Sequence, residues 1–203
     1  MSGVLAGSVV SAGLVVVSDR SESEVLVDFP WLGGVNPYRD GGVGGVESGP
    51  VGGLIENCVM TAIATDMSLR DGWGYQAGGA DPLPTRHLVN YQRQQLGLAD
   101  DAPGVVFDVA DFGVVRGLLA GAGVGARGVV VVQSSVSEVS HAFNVVRDVR
   151  GVTFLDGQAG RLAVAPGSVV AVKFLPMTVG LVAPAGVRVS DGSELVGLTG
   201  ADP

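Results

Sequence analysis

The apolar residues of this chain change period part-way along it. From Cys58 to Arg70 they recur at near-helical spacing, at Val59, Met60, Ile63 and Met67. A second helix fits His87 to Leu96. A third is expected to start near Asp108 and to carry Phe112, Val115, Leu119 and Ala122 on one face. Beyond that point the spacing shortens. Val129 to Val132 (ended by Gln133), His141 to Arg147, Val152 to Asp156 and Val169 to Phe174 read as strands. Helices first and strands afterwards predict an α+β domain with a largely antiparallel sheet.

Punctuation supports this order. Asn57 is a suitable N-cap and Gly72 a suitable helix stop. Residues 33–53 are glycine-rich, contain Asn36-Pro37, and read as loop. Residues 1–30 read as an N-terminal extension, 31–178 as the main folded unit, and 179–203 as an edge strand followed by a tail. Val4 to Val17 is apolar but too short to span a membrane and lacks a basic flank, so a buried strand pair or packed helix is expected rather than membrane insertion.

Composition narrows the function. The 203 residues carry a net charge of -8, which disfavours nucleic acid and anionic membranes as partners because both demand a basic surface. Histidine occurs only at 87 and 141 and cysteine only at 58. No internal disulfide can form, and no Cys/His cluster has metal-ligand spacing.

A lone thiol at a helix start carries chemical meaning. Unpaired N–H groups and the helix dipole favour a thiolate there, and Cys58 sits at that place. A thiolate nucleophile needs a base, and the base needs a group that holds its tautomer. His141 opens one strand and Asp156 ends the next. A hairpin loop of two or four residues between them sets Asp156 opposite Val145 or Phe143, on the face of His141. A loop of three residues separates them onto opposite faces. A four-residue loop leaves the carboxylate roughly 7 Å along the strand from His141, within side-chain reach. Taken singly, Cys58 reads as a buried cysteine, His141 as a half-buried strand histidine and Asp156 as a turn residue before Gly157. Together they match the logic of a catalytic triad. His87, beside Arg86 on a helix with no carboxylate nearby in sequence, reads as a packing or surface residue.

Three strings carry a family resemblance. They are Val35-Asn36-Pro37 followed by Glu56-Asn57-Cys58-Val59-Met60-Thr61-Ala62 with Asp66 and Gly72; Ser140-His141-Ala142-Phe143-Asn144-Val145-Val146; and Val152-Thr153-Phe154-Leu155-Asp156-Gly157-Gln158 with Gly160. In these the chain resembles the papain-fold toxin domains of the glutamine deamidase family, over roughly residues 35–160. The resemblance implies a papain-like fold, with the cysteine helix packed on the sheet that bears His and Asp. It implies Cys58 as nucleophile, His141 as general base and acid, Asp156 as orienter, and Gln158 as a substrate or structural contact. Asn57 is a further oxyanion candidate beside its N-cap role. No cofactor or metal is implied. Such domains act as exported effectors or toxins in a target cell, some with a cognate immunity protein, so a protein substrate is implied.

The chain departs from the family where members carry Gly-Arg before Asn-Cys and this one has Gly53-Leu54, and in the long glycine-rich stretch Gly41 to Gly53. Both departures bear on the substrate groove. The triad alone leaves open a glutamine deamidase, a papain-like protease, a transglutaminase and a silent binding module.

Overall fold

The computed structural model describes residues 15–16, 20–37, 39, 57–78, 83–134, 140–165 and 169–195. In chain order the elements are β1 (Val15–Val16), α1 (Glu22–Asp28), α2 (Cys58–Asp71), α3 (Arg86–Leu96), β2 (Val106–Val109), α4 (Phe112–Ala122), β3 (Arg127–Ser134), β4 (Ser140–Asp148), β5 (Gly151–Asp156), β6 (Arg161–Leu162), β7 (Val164–Ala165), β8 (Val169–Pro176) and β9 (Arg188–Ser190). Among the described residues, seven strands form one sheet in the order β6-β5-β4-β3-β8-β2-β9, every neighbour antiparallel. β1 pairs separately with β7. This is the α+β architecture that the change of apolar period predicts.

Helices cover both faces of the sheet, which is why its central strands are continuously apolar. In β3, Val129, Val130, Val131 and Val132 are each at most 1% exposed. Val130 and Val132 join Phe107, Phe143, Phe154 and Phe174 beneath Val115 and Leu119 of α4. Four of the six phenylalanines therefore lie on one face, each contributing about 1.5–3 kcal/mol by burial. Val129 and Val131 join Ala142 and Leu175 beneath Val59 and Ala62 of α2 and Leu88 and Val89 of α3. A third cluster brings Val25 of α1 and the turn residues Leu32 and Val35 against Ala64, Val146 and Leu155.

Both ends of the described chain contribute to packing. Val25 is fully buried, and so is Leu195, whose carbonyl accepts a hydrogen bond from Thr85 Oγ1. β9 forms the edge strand beside β2.

Two expectations are corrected. The segment at Asp108 is strand β2, and α4 begins at Phe112, where the Asp111 carboxylate caps it by accepting the Val114 N–H at 3.1 Å. Ala122, at the end of that helix, is exposed. The second correction concerns α2. Its buried side is formed by Val59, Thr61, Ala62, Ala64, Thr65, Asp66 and Ser68, while Met60, Ile63 and Met67 are only half-buried. Small side chains let this helix approach the sheet and its turns more closely than an Ile/Met stripe permits. Gly72 ends α2 at φ +73°, as its place in the sequence suggests. Most of Val4 to Val17, the stretch Gly41 to Gly53, and Leu54 lie outside the described residues.

Candidate active site

The β4–β5 hairpin turns on two residues, Val149 and Arg150, with Asp148 paired to Gly151. The Asp148 carboxylate accepts the N–H groups of Arg150 (2.8 Å) and Gly151 (2.9 Å), which fixes the turn. The register runs to Asn144 opposite Leu155, so Asp156 falls level with Phe143 on the face that also carries His141. Side-chain reach closes the remaining distance. His141 Nε2 lies 2.7 Å from Asp156 Oδ2.

Asp156 is itself held by the backbone that follows it. Its Oδ1 accepts the N–H groups of Gln158 (2.9 Å) and Ala159 (3.0 Å). Burial pushes the Asp156 carboxyl up, but His141 and these two N–H groups outweigh that and hold it below the usual carboxylate range. For His141, burial works against the charged form. The Asp156 carboxylate and a hydrogen bond to the Cys58 side chain prevail, and its pKa is raised to about 10. About a quarter of the His141 side chain remains exposed, against a tenth for Asp156.

Cys58 is the first residue of α2 and is partly exposed. The first backbone bond of the helix runs from the Thr61 N–H to the Asn57 carbonyl at 3.0 Å. The N–H groups of residues 58–60 thus have no acceptor within the helix. The expected N-cap bond from Asn57 is not formed. Its Nδ2 donates instead to Asn36 Oδ1 at 3.1 Å, and Asn36 Nδ2 donates to the Gln158 carbonyl at 3.1 Å. Asn57 lies deep between α2 and the 32–37 segment, and that tertiary partner takes the carboxamide away from the helix end. Gln158 is buried and joins this network through its backbone N–H and carbonyl.

The five residues singled out from sequence therefore gather in one place. His87 sits half-buried on α3, next to the packing residues Leu88 and Val89. Among the described residues no group of three or more His, Cys, Asp or Glu could hold a metal ion. No helix there is long and apolar enough to cross a membrane.

Sequence reasoning missed three residues that build the site. Asn36, like the other two, stands in the sequence only as one residue of a family string. Asn144 sends Nδ2 to the Ala62 carbonyl at 3.0 Å and ties β4 to α2. Its signal was available: a polar residue flanked at two-residue spacing by apolar Ala142 and Val146. Gly157 allows the turn after Asp156 to lie against α2.

A helix that starts at a cysteine, packed on an antiparallel sheet whose adjacent strands bear a paired His and Asp, is the arrangement of the papain-like fold. Residues 56–161 match the family model described as papain fold toxin 1, glutamine deamidase, and the chain belongs to that family. No curated protein and no solved structure matches the chain.

Proposed function

We propose that this chain is a protein-glutamine deamidase that acts through a thioester on Cys58. The observation that carries the reading is the 2.7 Å contact between His141 Nε2 and Asp156 Oδ2, with the same imidazole hydrogen-bonded to Cys58. With Nε2 engaged by the carboxylate, Nδ1 is the ring nitrogen left to serve the sulfur.

The chemistry follows from that arrangement. The Cys58 thiolate attacks the side-chain amide carbon of a substrate glutamine. N–H groups at the start of α2 stabilise the oxyanion. Gln158 is proposed beside it as a substrate contact, and Asn57, whose Nδ2 is bonded to Asn36, as a support of the helix start. The tetrahedral adduct collapses, the C–N bond breaks, and ammonia leaves with the proton of the imidazolium. A thioester remains. His141 then takes a proton from water as the water attacks. The C–S bond breaks and glutamate is released. Asp156 keeps the imidazole in one tautomer and stabilises its charged form. Every proton is supplied by His141 or water, so the cycle uses no cofactor.

In this reading residues 31–178 form the catalytic unit, braced by Val25 and Leu195 from the flanking segments. The substrate is a protein of a target cell, reached after export, and a cognate immunity protein, which some such toxins have, is the partner proposed in the producer.

The test uses a lysate of target cells treated with wild type and with Cys58→Ala. Ammonia release that depends on Cys58, with an intact substrate chain converted from amide to acid, supports the reading. Cleaved chains without ammonia would move the assignment to a protease, and an amine-linked product to a transglutaminase. Neither signal, with a Cys58 inert to iodoacetamide, would leave a binding module.

A further inference from the structure

The contacts around the site close into a ring. Cys58 follows Asn57 in the chain; Asn57 Nδ2 meets Asn36 Oδ1 (3.1 Å); Asn36 Nδ2 meets the Gln158 carbonyl (3.1 Å); and the Gln158 N–H meets Asp156 Oδ1 (2.9 Å). Asp156 Oδ2 meets His141 Nε2 (2.7 Å), and His141 returns to Cys58. The chemistry proposed above accounts for each of these residues except Asn36.

We propose that Asn36 is a positioning residue, whose carboxamide fastens the start of the Cys58 helix to the turn that orients Asp156. The proposal rests on the reading of Cys58, His141 and Asp156 as the reacting set. Asn36 is 3% exposed and touches both flanks of that set, one residue before Cys58 and two after Asp156. The three segments it joins are remote in sequence, so the link is wholly tertiary. A carboxamide suits the place because it accepts at one end and donates at the other, whereas a carboxylate can only accept.

The segment around it is anchored. The Val35 carbonyl accepts the Ala77 N–H at 2.8 Å, Arg39 Nη1 donates to the Ala159 carbonyl at 2.9 Å, and Pro37 restricts the Asn36 backbone. The carboxamide is thus presented from a fixed platform. Without it, the helix start and the Asp156 turn lose their direct side-chain tie. Asp156 then meets His141 over a wider spread of distances, and the imidazolium loses part of its stabilisation.

With two histidines in the chain, the imidazole Cε1–H signals give a direct readout. Cys58 and Asp156 are the titratable groups that act on His141. Wild type, Asn36→Ala and Asn36→Asp would be titrated by NMR and assayed for ammonia release from a blocked glutaminyl peptide. The expected result is a folded Asn36→Ala whose His141 titrates about one pH unit lower. Its kcat falls about tenfold while KM stays near the wild-type value. Asn36→Asp, which keeps an acceptor for Asn57 but sets an oxygen against the Gln158 carbonyl, loses at least as much kcat as Asn36→Ala.

A folded Asn36→Ala with wild-type titration and kcat would overturn the proposal. So would failure of both variants to fold, because a clip that serves the site leaves the rest of the fold standing. A wild-type His141 that titrates at its ordinary value, together with full activity in Cys58→Ala, would instead remove the reading beneath the proposal.

Discussion

A β-carbon on Gly157 would lie 2.1 Å from Thr65 Oγ1, closer than any real contact allows. The same carbon would lie 3.1 Å from the Thr61 carbonyl and from Val35 Cγ1. The turn after Asp156 therefore rests directly on α2, the helix that Cys58 begins. Gly157→Ala must push the turn away from the helix and draw Asp156 from His141. The expected cost is about 1–3 kcal/mol of stability with a loss of activity, read by thermal melting and ammonia release. Removing the nearest obstacle with Thr65→Ala in the same chain should restore part of both. A double variant no better than Gly157→Ala alone would contradict this packing argument.

Asp156→Asn tests the electrostatics of the pair. The amide oxygen can still accept the Gln158 and Ala159 N–H groups, so the turn is retained while the charge is lost. His141 should then titrate well below the wild-type value of about 10, and turnover should fall by about 10²–10⁴-fold. An unchanged His141 titration in this variant would be inconsistent with the contact described.

The pH dependence of wild type has a definite sign. The folded pKa of His141 lies above the ordinary 6.5, so its contribution to stability is complete below pH 6.5 and is lost as pH rises through about 10. Asp156 is depressed below the ordinary 3.8, so its contribution stands above pH 3.8 and is lost as pH falls below it. Melting temperature should therefore decline at both extremes. In Asp156→Asn both declines should be smaller, because each belongs to the pair. Parallel curves for the two proteins would rule the pair out as their source.

A second buried carboxylate is structural. Asp66 on α2 is fully buried, with its Oδ1 on Arg127 Nε (2.9 Å) and its Oδ2 accepting from Tyr91 Oη (3.0 Å). Burial raises the Asp66 pKa, and Arg127 opposes that rise. Arg127→Met leaves the carboxylate without its cation, at an expected cost of about 3–5 kcal/mol near neutral pH. The deficit should shrink as pH falls and Asp66 takes a proton. Chemical denaturation at several pH values would show it, and a deficit independent of pH would point to lost packing alone.

The sequence carried the parts of this structure that depend on local pattern. The helices at 58–71 and 86–96, the strands β3, β4, β5 and β8 and the α+β class follow from apolar spacing and from Gly72. The relation of His141 to Asp156 followed from strand parity once the hairpin loop was even. The missed features are tertiary. Asn57 has an ordinary capping side chain, and in the fold its Nδ2 turns to Asn36, 21 residues away. The buried side of α2 is small and polar because the Gly157 turn and β4 come close, and helical spacing cannot report how near a neighbour lies. Strand β2 is hidden in the sequence, and its last two residues, Asp108 and Val109, read as the start of α4, because the strand has only four residues and precedes an equally apolar helix with only Ala110 and Asp111 between.

The most direct test of the account is the covalent state of Cys58 during turnover. Wild type and Cys58→Ala would be mixed with a blocked glutaminyl peptide, quenched in acid, and weighed intact by mass spectrometry with peptide mapping. A thioester on Cys58 requires an adduct there equal to the peptide less ammonia, formed with the release of ammonia and absent from Cys58→Ala. Ammonia released at the wild-type rate by Cys58→Ala, or with no adduct ever detected on Cys58, would contradict it.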